Sequence, residues 1–342
     1  MTKVVARAPG RVNLIGDHTD YTGGLVLPMA IDRATEVELE RGVPWVELVS
    51  ADEDEPAFIH FADPRDPSSV HPTWARYVAG VVHVLRPESG GIGFVRSDVP
   101  IGAGLSSSAA LEVAVALALG FEGSSRELAL VCQQAEQVAS GVPCGIMDQL
   151  ASAAGVAGHA LMIDCRSLDV TPVPIPDDVD VVVVDSGTRR QLATSFYGVR
   201  RAQCEEAETL IGPLRDATIV DAESIGIDDL RRRARHVVSE NARVQAFAAA
   251  MAAGDVGEAG RLMVASHESL RDDFAVSIRE LDDLVAHLRS RPGVHGARLT
   301  GAGFGGCVVA LTDPGADLGL PAATASWRVA PSAGASIEIL EP

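Results

Sequence analysis

Lysine is all but missing. Lys3 is the only one in 342 residues, so arginine carries nearly all the positive charge. A Walker-type phosphate loop, which needs a lysine after its glycines, is therefore excluded; phosphate bound here must meet backbone N–H groups, arginine and a divalent cation. Basic residues of both kinds are outnumbered, 28 against 47 acids, for a net charge of −19. Nucleic acid and anionic membranes need a basic face, so neither is expected as a partner. The apolar runs are too short and interrupted to span a bilayer, and the opening MTKVVARAPGRVNL has no apolar leader segment. The five cysteines (Cys132, Cys144, Cys165, Cys204, Cys307) are odd in number and form no CxxC pair, and the nine histidines form no ligand cluster. A cytoplasmic protein without structural zinc is the expectation.

The 47% of apolar residues suffices for a large core, and the length suits two domains. VVARAPG and LVLPMAI read as strands flanking a polar loop, RVNLIGDHTDYTGG; ATEVELERG and VELVSA continue as alternating strands. A helix pattern holds Trp74 and Tyr77. SSRELALVCQQAEQVAS is a serine-capped helix ending at Gly141, and HALMIDCRSLDVTPVPIP reads as two edge strands. The Pro- and Asp-rich PIPDD marks a domain boundary, giving domains 1–177 and 178–342. Beyond it lie a fully apolar strand, DVDVVVVDSG, and helical patterns over 200–215, 227–253 and 257–289. Mixed α+β in two halves is the expected class. Gly301, Gly303 and Gly306 satisfy GxGxxG, but a strand follows them rather than a helix. A tight turn, or backbone approaching a ligand, fits that context better than a dinucleotide fold.

Three motifs carry chemistry. In PIGAGLSSSAALE, two glycines flank an alanine and three serines lead into an alanine-rich helix pattern. A loop without bulk lets backbone N–H groups approach a polyanion, and the helix adds the positive end of its dipole; the alternative is a flexible loop capping a core helix. In GRVNLIGDHTDYTGG, one loop holds Arg11, Asp17, His18, Asp20 and Tyr21 between glycines. These groups suit vicinal hydroxyls, although Asp and His in such loops are often only turn formers. In CGIMDQ, Asp148 starts a helix three residues after Gly145. It is either a general base for a hydroxyl or an N-cap, the commoner occupation of such a residue.

Together with WARYVAGV, CQQAE, SFYGVRRAQCEEA, RARHVVSEN, SHESLRDDFAVSIRELDDLV and LTGAGFGGCVV, these motifs closely resemble the galactokinases of the GHMP small-molecule kinase superfamily over nearly the whole chain. The resemblance implies an N-terminal domain like the second domain of ribosomal protein S5 and a ferredoxin-like C-terminal domain, with nucleotide and sugar in the cleft between them. It implies transfer of the ATP γ-phosphoryl group to the C1 hydroxyl of galactose, with Mg²⁺, in a monomer whose partners are small molecules only. Asp148 matches the catalytic aspartate and Arg11 the arginine beside it. Asp17, His18, Thr19, Asp20 and Gly145 fall on the sugar-binding motifs, and Tyr197 on a tyrosine near the sugar. Gly102, Ala103, Gly104, Leu105, Ser106, Ser107 and Ser108 form the phosphate loop, Ser108 and Glu136 match magnesium ligands, and Ser50 and Trp74 fall at the nucleotide pocket.

Two departures bear on the substrate. Asp17 stands where the family usually has glutamate, and Ala302 where a third glycine is common. The shorter arm at 17 motivates galacturonate, arabinose or N-acetylgalactosamine as alternative acceptors. A galactokinase-like sugar sensor without catalysis is a further alternative, but such proteins tend to damage the serine loop, which is intact here. A mevalonate kinase would need a lysine in the first motif, where this chain has Arg11, and DHTDY has no use for homoserine.

Overall fold

The computed structural model describes residues 2–62, 65–188 and 193–340, with only the backbone of 193–195; the side chain of Ser195, which opens SFYGVRRAQCEEA, lies outside the described residues. Numbered in chain order, the N-terminal half contributes strands β1 (Thr2–Asn13), β2 (Leu25–Val26), β3 (Pro28–Val43), β4 (Trp45–Ser50), β5 (Ala57–His60) and β6 (Gly90–Ser97). Helices α1 (Ala75–Leu85), α2 (Ser107–Ala118), α3 (Ser125–Ser140) and α4 (Met147–Ala154) follow, then β7 (His159–Asp164) and β8 (Val170–Pro174). The second half comprises β9 (Asp180–Asp185), α5 (Ala193–Ile211), α6 (Ile219–Glu223), α7 (Asp228–Ala252), α8 (Val256–Asp272), α9 (Arg279–Arg289), β10 (Val294–Thr300), β11 (Cys307–Thr312), β12 (Ser326–Val329) and β13 (Ser336–Leu340).

A six-stranded sheet, β13-β1-β3-β6-β4-β5, carries α1 and α2, and α3 packs against those two helices. Alternation in β3 sends Val37 and Leu39 into that core and leaves Glu36, Glu38 and Glu40 outside. Helix α2 is buried on nearly every side, which is why its sequence is apolar all round. Helix α3 starts in a capping box, the Ser124 side chain against the Glu127 backbone and the reverse, and ends at Gly141 in the left-handed conformation. Helices α1 and α3 touch so closely that a Cβ at Gly80 would lie 2.4 Å from the Ala135 carbonyl.

The second half is built on an antiparallel sheet, β10-β11-β9-β12. Both its faces are covered, so the four residues between the terminal aspartates of β9 are all valine and all buried. Val181 and Val183 join Phe247 and Met263, while Val182 and Val184 join Phe274 and Leu281. The first of these cores also takes Leu14, Leu27 and Leu105 from the N-terminal half, so a continuous apolar interior joins the two halves. The glycine run 301–306 turns β10 back into β11, both antiparallel strands, as its context predicts.

The mixed α+β organisation matches expectation, and four details do not. Arg11 lies within strand β1 rather than in the polar loop. Residues 28–43 form one strand, not two, because its first part pairs with the end of β1 and its later part with both β1 and β6. Strand β7 is central, flanked by β2 and β8, so of the two strands expected at edges β8 alone is one. The 257–289 pattern splits into α8 and α9, because Phe274 and Val276 turn into the core around Ala275 at φ 54°. Strand β13 also returns to pair with β1, carrying the end of the chain back to the first sheet.

Candidate active site

The site begins with an irregularity in β1. Its register shifts between Pro9 and Arg11, and a Cβ on Gly10 would lie 2.7 Å from the Leu105 carbonyl. Glycine lets the 102–106 loop press onto the strand there, where Arg11 N–H donates to Leu105 O at 3.0 Å. The Arg11 guanidinium is thereby aimed along the loop. It donates to Gly104 O at 2.7 Å and, through Nε, to Asp148 Oδ1 at 2.7 Å; a second nitrogen pairs with Oδ2. Ser106, held at φ 56° just before α2, donates its hydroxyl to the same Oδ2.

This removes the capping alternative for Asp148. The residue preceding α4 is Ile146, without a side-chain cap, and the Asp148 carboxylate spends itself on Arg11 and Ser106 instead. Oδ2 accepts two hydrogen bonds and Oδ1 one, so Oδ1 keeps a lone pair for a further hydroxyl. That carboxylate borders a cavity of about 510 Å³. One end is lined by Asp17, His18, Asp20, Gly145, Tyr197, Gly301 and Ala302, the other by Thr73, Arg76, Tyr77, Glu136 and Ser140; Gly104 also lines it.

The first end is a polar pocket on a rigid support. Helix α7 offers one buried polar face: Glu240 accepts from Gly16 N at 3.0 Å, Asn241 from Leu25 N at 2.7 Å, and His236 Nε2 meets Asp17 O at 3.1 Å. Burial pushes the Glu240 carboxyl up, but Arg243, His236 and Arg298 outweigh it and bring it down to about 2. Gly24 is required here, since a Cβ would sit 2.6 Å from Asn241 Oδ1. Arg298, fully buried on β10, pairs with Asp17 and donates to Leu14 O at 3.1 Å, while Gly301 N donates to Asp17 Oδ1 at 2.9 Å. The His18 ring lies tilted against Phe274 with ring centroids 4.6 Å apart, and its Nδ1 meets the Tyr21 hydroxyl at 3.0 Å. Burial brings the His18 imidazole down to about 3, so it is neutral at physiological pH. Its Nε2 lies by the Ala302 backbone, buried and without a hydrogen bond of normal geometry. A buried neutral ring nitrogen left open in a cavity suits a hydroxyl.

Asp20 packs against Gly145 so tightly that a Cβ there would lie 1.8 Å from its Oδ2. Burial, and then the Asp148 charge, push the Asp20 carboxyl up from 3.8 to about 7. Its folded value exceeds its unfolded one, so its contribution to stability is full below about pH 3.8 and lost as pH rises through about 7. The melting temperature of Asp20→Asn minus that of the parent is therefore expected to grow by several degrees between pH 4 and pH 8. A flat difference across a calorimetric pH series would refute this.

At the other end, Glu136 and the fully buried Glu112 both bond Gln149 Nε2 at 3.2 Å. Burial first, then Asp148, push the Glu136 carboxyl up to about 7, while Glu112, the Ser108 hydroxyl and Arg11 pull the other way.

Not every candidate from the sequence reaches the cavity. The Thr19 hydroxyl is held between the Gly16 and Leu25 carbonyls, at 2.8 and 2.6 Å, and shapes the loop from behind. Ala103 and Leu105 bury their side chains in the core, leaving only backbone for an anion. Gly102 has φ 77° with open space around it. Ser107 and Ser108 open α2 and do not line the cavity themselves, although the Ser108 hydroxyl bonds Glu136, which does. Trp74 is packed into the first core with its indole N–H on Glu55 O at 3.0 Å, and Ser50 ends β4; neither lines the cavity. Arg298, Glu112, Gln149 and the α7 face were not singled out in the sequence, although RARHVVSEN shows buried-face spacing of polar residues once the helix is known.

Three family models match: a galactokinase galactose-binding signature over residues 1–41, a GHMP kinases N-terminal domain over 76–156 and a GHMP kinases C-terminal domain over 247–319. The chain is 51% identical to the galactokinase of Chloroflexus aurantiacus, over 90% of this chain and 83% of that one. It is 46% identical to the human galactokinase, over 92% and 85%. The chain belongs to the galactokinase family. It is an ATP-dependent sugar kinase built from GHMP kinase N- and C-terminal domains. Among solved structures, the Lactococcus lactis galactokinase complexed with galactose superposes with a TM-score of 0.89 at 31% identity, covering 98% of this chain and 95% of that one. A mevalonate kinase, at 18% identity and a TM-score of 0.69, shares the fold. Among the described residues, no helix of this galactokinase family member is long and apolar enough to cross a membrane.

Proposed function

We propose that the chain transfers the γ-phosphoryl group of ATP to the C1 hydroxyl of galactose, giving galactose 1-phosphate and ADP. The observation that carries this reading is the Asp148 carboxylate. It is fastened by Arg11 and Ser106 to the glycine–serine loop and borders a pocket of hydroxyl-binding groups. Phosphoryl transfer asks chiefly for positioning and charge neutralisation, and these groups provide both.

Asp17, His18, Asp20 and the backbone at Gly145 hold the sugar hydroxyls, with Tyr197 packed beside them. The phosphates lie along residues 102–108, on backbone N–H groups at the start of α2. The C1 oxygen attacks the γ-phosphorus, the bond to the ADP oxygen breaks, and the hydroxyl proton passes to the open lone pair of Asp148 Oδ1. The Arg11 guanidinium, against both Asp148 and the loop, meets charge building on the transferring group. Ser106 and Arg11 orient the carboxylate.

The donor set suits Mg²⁺. Ser108 and Glu136 offer oxygen, and Glu112 Oε1 is a buried oxygen without a partner. No group of three His, Cys, Asp or Glu side chains among the described residues could cage a metal, leaving most positions to phosphate oxygens and water, as magnesium favours. When bound, the ion neutralises phosphate charge. Ser50 and Trp74 remain candidates for the outer nucleotide pocket. The same reading gives a cytoplasmic monomer of two domains, meeting near residue 177, whose five cysteines stay unpaired thiols.

A coupled ADP-release assay over a sugar panel tests the proposal. Galactose is expected to be preferred over galacturonate, arabinose and N-acetylgalactosamine by at least tenfold in kcat/KM. The shorter Asp17, drawn to Arg298 and Gly301, is the reason for including those sugars. A preference for any of them would replace galactose as the acceptor.

A further inference from the structure

Two arginines line the cavity that Asp148 borders, Arg11 and Arg76. Arg11 is committed to Asp148. Arg76 has no carboxylate within ion-pair distance among the described residues; its Nε donates to Val70 O at 3.0 Å, which fixes the side chain and leaves both terminal nitrogens available. Other half-buried arginines without an acid, such as Arg41 and Arg200, spend a terminal nitrogen on a backbone carbonyl; Arg76 instead lines the cavity. Its position on α1 points the same way. It sits in the helix's first turn, where the dipole disfavours a cation, and no acid in that turn offsets it. Helix stability therefore does not account for it.

Its surroundings say what it faces. The close packing of α1 on α3 brings Arg76 and Tyr77 into the cavity lining together with Glu136 and Ser140 of α3. Burial, and then the Glu136 charge, push the phenol of Tyr77, the next residue, up to about 12. Glu136 is the residue assigned above to the ion that accompanies the phosphates, Gly104 of the phosphate loop lines the same cavity, and no lysine does.

We propose that Arg76 binds the nucleotide's polyphosphate, supplying from α1 a charge-assisted contact that the lysine-free serine loop cannot make. The proposal rests on the kinase reading and extends it to a residue outside the three motifs. A guanidinium with its Nε anchored and its terminal nitrogens open matches the fork geometry of phosphate.

The test uses the full chain with Arg76→Gln and Arg76→Lys. Dissociation constants for ADP and adenosine are measured by calorimetry without sugar, and KM for ATP and galactose by coupled assay. For Arg76→Gln, ADP affinity and the ATP KM are expected to worsen about 10–100-fold, the scale of one or two lost hydrogen bonds to a charged group. Adenosine affinity and galactose KM should stay within about threefold, and Arg76→Lys should recover part of the loss. ADP affinity within twofold of the parent would overturn the proposal. Equal losses for ADP and adenosine would also overturn it, because they would mean that Arg76 only shapes the end of α1. ADP binding without sugar is independent of which sugar the enzyme phosphorylates, so failure here and failure of the galactose assignment are separable.

Discussion

Replacing Asp148 by alanine is expected to lower kcat by about 10³-fold or more while leaving ATP and galactose affinity within about fivefold of the parent. A positioned general base contributes roughly 10²–10⁴-fold, and Asp148 also orients the attacking hydroxyl. Substrate binding should survive because the pocket does not depend on this carboxylate: α7 and β10 hold the 14–24 loop through Glu240, Asn241, His236 and Arg298. Nucleotide binding should be equal or slightly tighter. Arg11 keeps its bond to Gly104 O when its acid is removed, and its freed nitrogens then face the phosphates without competition. Asp148→Asn separates proton acceptance from shape, since it keeps the size and loses the charge. Single-turnover phosphoryl transfer with ATP in excess, beside equilibrium binding of each substrate, measures both quantities. A fall of less than tenfold in the transfer step for both variants would remove Asp148 from the chemistry.

Arg298→Met should cost the most stability of any single change near the pocket. Arg298 is fully buried and Asp17 is 2% exposed, so neither reaches water. Removing one partner of such a pair leaves an uncompensated charge, at about 3–5 kcal/mol. For a chain of this size, that corresponds to a fall in Tm of roughly 5–10 °C. Burial already pushes the Asp17 carboxyl up, against the pull of Arg298 and Asn13; without the guanidinium it rises further. The loss is therefore expected to be smaller at pH 5, where Asp17 takes up a proton more easily, than at pH 8. The double variant Asp17→Asn/Arg298→Met should regain much of the stability without regaining galactose affinity, because the loop is relieved of its buried charge but loses the fastening to β10. Calorimetric melting of the three proteins at two pH values decides it. An Arg298→Met protein melting within 2 °C of its parent would show the pair to be unimportant.

The two variants probe opposite kinds of legibility. Asp148 stood out in the sequence and the resemblance implied its role, yet the residues around it left that role open, because an aspartate in the first turn of a helix ordinarily serves the helix. What removed that reading is Arg11, 137 residues away in sequence, drawn against Asp148 by the loop that Gly10 admits. Arg298 gave no signal of its own: within ARLTGAGFGG it reads as a strand residue three places before a glycine hairpin, and only the fold sets it against Asp17 of the DHTDY loop. Thr19 failed in the other direction. It sits in the middle of the hydroxyl-binding motif, but a threonine among glycine turns has nearby carbonyls to satisfy, and its hydroxyl does so. The break between α8 and α9 was hidden because 273–278 contains no glycine or proline, and burial of Phe274 and Val276 makes the turn instead.

By itself, the sequence determined whatever is written in contiguous residues. That includes the lysine-free glycine–serine loop entering an apolar helix, the Asp- and His-rich turn, the serine-capped α3 with its Gly141 stop, the glycine hairpin and the family membership these motifs carry. Backbone freedom, capping and local charge act over a few residues, so their signals survive without coordinates. The tertiary structure alone decided which charges meet: Arg11 with Asp148, Arg298 with Asp17, Glu240 with the sugar loop, and Arg76 with none among the described residues. Those pairings depend on helix packing and sheet register bringing distant segments within hydrogen-bond reach, and burial then sets how much each is worth.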